Sequence, residues 1–238
     1  MNRISYNCSN LVGAQCGYSA QSEWDACVEA VNEYYRPLAT FAARFEKMIL
    51  DIRALGFDAL DIWLPGQLDF RWAMPEHLKL ARALLDKHRM AVTSIGGDFG
   101  ETKEEFIASC KLAVAVGTDL LSGTTPVVYS DRAFTVRTLR KYNLRLAIEN
   151  HPEKSSREML DRVGDGAEGR IGTTVDTGWY ATQHYDVVRA IEELDRHILH
   201  VHLKNVLDGE EHLNVGYGQG IVPMEQCVYA LRRIGYKG

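Results

Sequence analysis

Residues 144–151 read Leu144-Arg145-Leu146-Ala147-Ile148-Glu149-Asn150-His151, a short apolar run that stops on a carboxylate. The pattern recurs in Ile171-Gly172-Thr173-Thr174-Val175-Asp176 and in Ile198-Leu199-His200-Val201-His202-Leu203-Lys204. Short continuous apolar runs mark parallel strands covered on both faces. A charged side chain inside or just past such a run is costly to bury unless it has a partner or a task. Here Glu149, Asp176 and His202 all fall at the C-terminal end of a predicted strand. Any one of them is explained as a hydrogen-bonded strand end, but three at successive strand ends point to a site.

Outward from this stretch, similar runs lie at Arg3–Asn7, Ala59–Leu64, Met90–Ile95 and Asp119–Ser122, which makes seven predicted strands. From the third onward they recur about every 27 residues, the length of a strand, a helix and two short loops. Amphipathic stretches fill the gaps: Phe41–Leu55, Glu76–His88, Lys103–Val116, Asp131–Tyr142, Ser156–Val163, His184–Leu194 and Pro223–Ile234. Gly56, Gly117 and Gly235 sit where a left-handed residue closes a helix, and Pro223 suits a first helical turn. Cys8–Thr40 is longer than a simple loop and has room for an extra helix over Glu23–Tyr35. The repetition predicts a single-domain TIM (β/α)8-type barrel over residues 1–238. An open doubly wound sheet would carry a Gly-rich turn after its first strand, and Asn7-Cys8-Ser9-Asn10 is not one.

In a barrel all the C-terminal strand ends face one mouth, where active sites form. Two carboxylates and an imidazole make a hard-to-borderline donor set, suited to one divalent ion such as Mn²⁺, Zn²⁺, Co²⁺ or Mg²⁺. Alternation puts His200, His202 and Lys204 on one side of their strand. Trp63, Trp72, Trp179 and Tyr180 are candidates for stacking on the apolar face of a sugar or for packing. Gly216-Tyr217-Gly218-Gln219-Gly220, ahead of the helix begun at Pro223, reads as a flexible loop, with a phosphate site at that helix start as the alternative. Cys8, Cys16, Cys27, Cys110 and Cys227 are scattered without a C-x-x-C pair, which predicts reduced thiols.

The bulk composition narrows the partners. The chain has 238 residues, 46% hydrophobic and 25% charged, which is ordinary globular composition. A net charge of −5 gives no general attraction to a polyanion, so nucleic acid is not the expected partner. The N-terminus has no apolar signal core and no apolar run is long enough to span a bilayer, so a cytoplasmic protein without membrane contact is expected.

The segments Leu146-Ala147-Ile148-Glu149-Asn150-His151, Val175-Asp176-Thr177-Gly178-Trp179 and His200-Val201-His202-Leu203-Lys204-Asn205, in that order and spacing, resemble the xylose-isomerase-like barrel superfamily. That superfamily includes sugar isomerases and epimerases, inosose dehydratases and a three-zinc apurinic endonuclease branch. The resemblance implies that Glu149, Asp176 and His202 bind metal and that His151, Lys204 and His212 meet a small sugar substrate; the chemistry of such a site makes Glu149 and Lys204 the candidate catalytic residues and Trp63 and Trp179 candidate walls for the sugar. The implied chemistry is isomerisation or epimerisation by proton transfer next to a carbonyl, with dehydration as the alternative and endonuclease or inactive binding barrel as more distant ones. Two departures bear on this. The strand ends Asp61-Ile62-Trp63, Ile95-Gly96-Gly97-Asp98 and Ser122-Gly123-Thr124 lack the endonuclease histidines, and Trp179 stands where many relatives have His. One metal rather than three is therefore expected.

The superfamily also supplies a further metal-binding Glu from an eighth strand, which the spacing would place just beyond Gly238. The expectation is a barrel lacking its eighth βα unit, with weakened metal binding, little activity and unpaired edges on strands one and seven open to dimerisation. The opposing expectation is that Cys8–Thr40 hides a closing strand.

Overall fold

Local chemistry sets the helix boundaries. Ahead of helix α4 (Lys103–Val116, numbered in chain order), the Glu105 amide donates to Thr102 Oγ1 at 3.2 Å while the Glu105 carboxylate accepts the Thr102 amide at 3.1 Å. This reciprocal cap satisfies amides that have no partner inside the helix. Gly117 closes the same helix at φ 87°, a conformation that a side chain disfavours. Ser155 and Glu158 repeat the reciprocal cap at α7 (Ser156–Val163).

A computed structural model describes residues 3–19, 23–209 and 212–238. These form two compact units, 3–144 and 145–238. The first holds β1 (Tyr6–Asn7), a 3-10 segment at Cys8–Cys16, α1 (Trp24–Tyr35), α2 (Leu38–Ala54), β2 (Ala59–Leu64), α3 (Pro75–Lys87), β3 (Ala91–Asp98), α4, β4 (Leu120–Thr124), α5 (Val127–Ser130) and α6 (Arg132–Tyr142). Its strands pair in chain order and in parallel, with Tyr6 opposite Leu60, Ala59 opposite Ala91 and Ile95 opposite Leu121. Phe41, Phe45 and Ile49 of α2 join Leu60, Ile62, Ile95, Phe106 and Leu121 in a core closed to water. Strands β3 and β4 approach closely: a Cβ on Gly123 would sit 1.9 Å from the Gly97 carbonyl oxygen.

The second unit holds β5 (Arg145–Glu149), α7, a 3-10 segment at Gly166–Gly169, β6 (Ile171–Asp176), α8 (Thr177–Thr182), α9 (Val187–Leu194), β7 (Ile198–His202), β8 (Asn205–Val206), β9 (Asn214–Val215) and α10 (Met224–Arg233). Leu146 pairs with Ile171 and Asp176 with His202, again in parallel, while β8 and β9 pair antiparallel. All six residues of β6 are buried. Leu146, Ile148, Val175, Tyr180, Ile191 and Leu194 fill this unit's core.

The seven predicted strands are present, and β2 and β6 have the predicted limits. Elsewhere the limits move for local reasons. Strand β3 continues past Ile95 to Asp98, pairing with β4 through its glycines. Helix α9 starts at Val187 rather than His184, because Asp186 Oδ1 caps it through the Arg189 amide at 3.0 Å and His184 is left-handed at φ 55°. Pro223 stands one residue before α10 instead of in its first turn. Cys8–Thr40 contains the 3-10 segment, α1 and the start of α2; among the described residues it contains no strand. All five cysteines are thiols, with Cys8, Cys27, Cys110 and Cys227 buried. Among the described residues no helix is long and apolar enough to cross a membrane.

Candidate metal centre

Three strand ends in the 145–238 unit converge. Glu149 closes β5, Asp176 closes β6 and His202 closes β7, and each offers one ligand atom within 4.8 Å of the other two. The register that sets Asp176 opposite His202 places these groups at the same level. Asp176 and His202 are buried, and Glu149 is partly so.

The Glu149 and His202 side chains meet directly, Oε1 to Nδ1, at 2.7 Å. Burial alone would raise the Glu149 carboxyl, but the charge and hydrogen bond of His202 bring it below its ordinary value. Burial would likewise lower His202, and the Glu149 carboxylate outweighs it, so the imidazole is held up. Lys204 Nζ donates to Asp176 Oδ2 at 2.5 Å, and His151 Nε2 lies 3.4 Å from the same oxygen. The Lys204 ammonium, with the nearby His151 assisting, overcomes the burial that would otherwise push the Asp176 carboxyl up, and holds it well below the carboxylate range. Asp176 in turn keeps Lys204 above its usual value against burial. The buried Asp176 and half-buried Glu149 carboxylates thus keep their charge because Lys204 and His202 face them.

Asp176 also has a structural task. Its Oδ1 accepts the Trp179 amide at 3.0 Å and so caps α8, leaving Oδ2 toward the cluster. Two oxygens and one nitrogen at this spacing fit a divalent cation of the hard-to-borderline class. Glu149, Asp176 and His202 would hold it.

The other predicted site residues fall as follows. The His151 and Trp179 rings pack at a tilt of 51° with centroids 4.5 Å apart, and His212 lies 5.6 Å from Trp179 and 6.3 Å from His151. His151, Trp179, Lys204 and His212 are therefore gathered beside Glu149, Asp176 and His202. Trp63 belongs to the 3–144 unit, where it packs edge-on against Trp24 at 5.6 Å. Trp72 is in that unit too and donates Nε1 to Asn32 Oδ1 at 2.8 Å, a packing role. Tyr180 is a fully buried core side chain.

Five residues that the sequence reading passed over hold this arrangement. Asn150 bonds the Asp176 main chain on both sides, accepting its amide at 2.6 Å and donating to its carbonyl at 3.2 Å. Thr177 Oγ1 accepts the Lys204 amide at 2.9 Å and donates to the Lys204 carbonyl at 2.8 Å. The Glu153 carbonyl accepts Trp179 Nε1 at 2.9 Å, and Arg162 Nε donates to the Glu153 carboxylate at 2.6 Å. Thr182 bridges Trp179 and His212. Asn150 and Thr177 lay inside the quoted motifs, next to Glu149 and Asp176, and that adjacency was the available signal.

The comparisons agree with the fold. The family model described as xylose isomerase-like TIM barrel matches residues 49–238. Among solved structures, a probable 3-DHS dehydratase from Bacillus anthracis involved in petrobactin synthesis is 16% identical with a TM-score of 0.62, over 98% of this chain and 89% of that one. A D-allulose 3-epimerase from Methylomonas sp., solved with D-allulose, is 17% identical with a TM-score of 0.62, over 83% and 76%. The IolI protein with a bound zinc atom is 15% identical with a TM-score of 0.62, over 81% of each chain. No curated protein matches the sequence. With the family model covering most of its length, and with parallel βα units in both compact units, this chain belongs to the xylose isomerase-like TIM barrel family.

Proposed function

We propose that Glu149, Asp176 and His202 bind one divalent cation, Mn²⁺, Zn²⁺, Co²⁺ or Mg²⁺, and that the protein is an isomerase or epimerase that moves a proton on a carbon next to a carbonyl in a sugar or sugar-like polyol. The convergence of those three side chains at the ends of adjacent strands carries this reading. A divalent cation supplies Lewis acidity to the substrate oxygens, which makes the neighbouring C–H bond easier to ionise. Glu149, tied to His202 through Oε1, is the base for that proton. Lys204, fixed at its main chain by Thr177 and at its ammonium by Asp176, holds a proton close to where oxygen charge develops. His151 and Trp179 form the wall that orients the ring and excludes water.

The test combines metal analysis with isotope exchange. The wild-type chain is expected to bind one equivalent of zinc or manganese, and His202→Ala to lose about tenfold or more in affinity while its unfolding midpoint stays near wild type. Ketoses and inososes incubated with the loaded protein in deuterated water should gain deuterium beside the carbonyl. Elimination of water from the same substrates would make the enzyme a dehydratase. No bound metal, or unchanged metal affinity in His202→Ala, would overturn the assignment.

A further inference from the structure

Helix α7 grips the segment that leads into it at two points. The Glu158 carboxylate of its first turn accepts the Lys154 and Ser155 amides at 2.6 and 3.1 Å, and Arg162 of its last turn donates Nε to the Glu153 carboxylate at 2.6 Å. The Glu153 side chain is 7% exposed and that of Arg162 44%. A carboxylate so nearly closed to water is costly without a cation beside it. Arg162 therefore keeps Glu153 turned inward, and with it the main chain of residue 153. That main chain has a task of its own, because the Glu153 carbonyl accepts the Trp179 Nε1 hydrogen at 2.9 Å. The Trp179 amide is fixed by Asp176 Oδ1 at 3.0 Å, which settles the backbone but leaves the indole its side-chain torsions. The bond at Nε1, the only polar atom of the ring, is what stops it turning.

We infer that Arg162 is a positioning residue for the metal centre: by holding the Glu153 carboxylate it fixes the carbonyl that takes the Trp179 Nε1 hydrogen, and so sets the angle at which the indole faces His151. The inference rests on the reading above, in which His151 and Trp179 orient the substrate, and adds what keeps that wall in place. The rings meet at a tilt of 51° with centroids 4.5 Å apart, an arrangement that a freely turning indole would not hold. Glu158 grips the same segment but also caps α7, so its removal would disturb the helix itself. Arg162 is the contact that can be removed with the cap intact.

Indole ¹⁵N–¹H NMR on the zinc-loaded full chain reads the ring directly. The chain has four tryptophans, and the Trp179 signal is the one that Trp179→Leu removes. In Arg162→Ala its hydrogen is expected to exchange with water at least about tenfold faster than in the wild type. The His151 ring-proton shifts should move toward their values in Trp179→Leu, while zinc affinity stays within about twofold. Arg162→Met is read in its place if Arg162→Ala does not fold. Arg162→Gln, whose amide nitrogen can stand where Nε stands, should restore the protection. So should Glu153→Gln added to Arg162→Ala, since a neutral side chain needs no cation. A role confined to the charge at the end of α7 would not respond to Glu153→Gln. An unchanged indole signal in Arg162→Ala, or a loss that Glu153→Gln leaves in place, would overturn the inference. If zinc does not bind, the metal-centre reading falls, and indole exchange in the metal-free chain still decides the Arg162 question.

Discussion

Asn150 accepts the Asp176 amide at 2.6 Å and donates to the Asp176 carbonyl at 3.2 Å, with no exposure to solvent. Its side chain does for the chain just past β5 what a neighbouring strand does inside the sheet, and it ties the ends of β5 and β6 at the level of Glu149 and Asp176. Asn150→Ala would leave a buried donor and a buried acceptor unmatched, a loss of about 2–4 kcal/mol. Urea unfolding should show that loss, with a fall in zinc affinity as Asp176 gains freedom; a change within experimental error in both would refute the role. At this scale the sequence was informative about charge and silent about support. Glu149, Asp176 and His202 were legible because an ionisable group closing an apolar run is anomalous. Asn150, a polar residue before a turn, is ordinary there, and its significance lies in a contact with a residue 26 positions away.

Among the elements, the strands were read more accurately than the loops because burial on both faces leaves a continuous apolar signature, as in β2 and β6. Helix α8 was missed for a physical reason: it begins directly after β6, with Asp176 serving both as the last strand residue and as the cap. Six residues are too few to show a helical period. The strand ends of β3 and β4 were read for what they lack, namely histidines, whereas their glycines carry the packing. Since a Cβ on Gly123 would fall 1.9 Å from the Gly97 carbonyl oxygen, Gly123→Ala must push two backbones apart. The expected cost is at least about 4 kcal/mol, seen as loss of soluble protein or of cooperative unfolding. A Gly123→Ala chain with a wild-type melting curve would show that the two strands are not so close.

For the whole molecule, repeat length led to the barrel fold and the three strand-end motifs to its family, but neither led to the division into residues 3–144 and 145–238. No Pro-rich or charged linker marks that boundary, because the chain passes from α6 to β5 through a short turn at Asn143, left-handed at φ 54°. The thiols described with the fold are distributed over this division. Cys8, Cys27 and Cys110 are buried in the first unit and Cys227 in the second, while Cys16 is partly accessible. Burial pushes Cys110 up to about 12 and Cys227 up to about 11, so as long as the protein is closed neither forms the thiolate that reacts. With a thiol-specific reagent one sulfur, Cys16, is expected to react promptly and the other four only as the surrounding structure opens; two or more prompt sulfurs would contradict the burial. The cysteines thereby become native stopwatches. Mass-resolved labelling of Cys110 against Cys227 times the opening of each half separately, without any probe being introduced, and reports whether the two halves breathe together or apart.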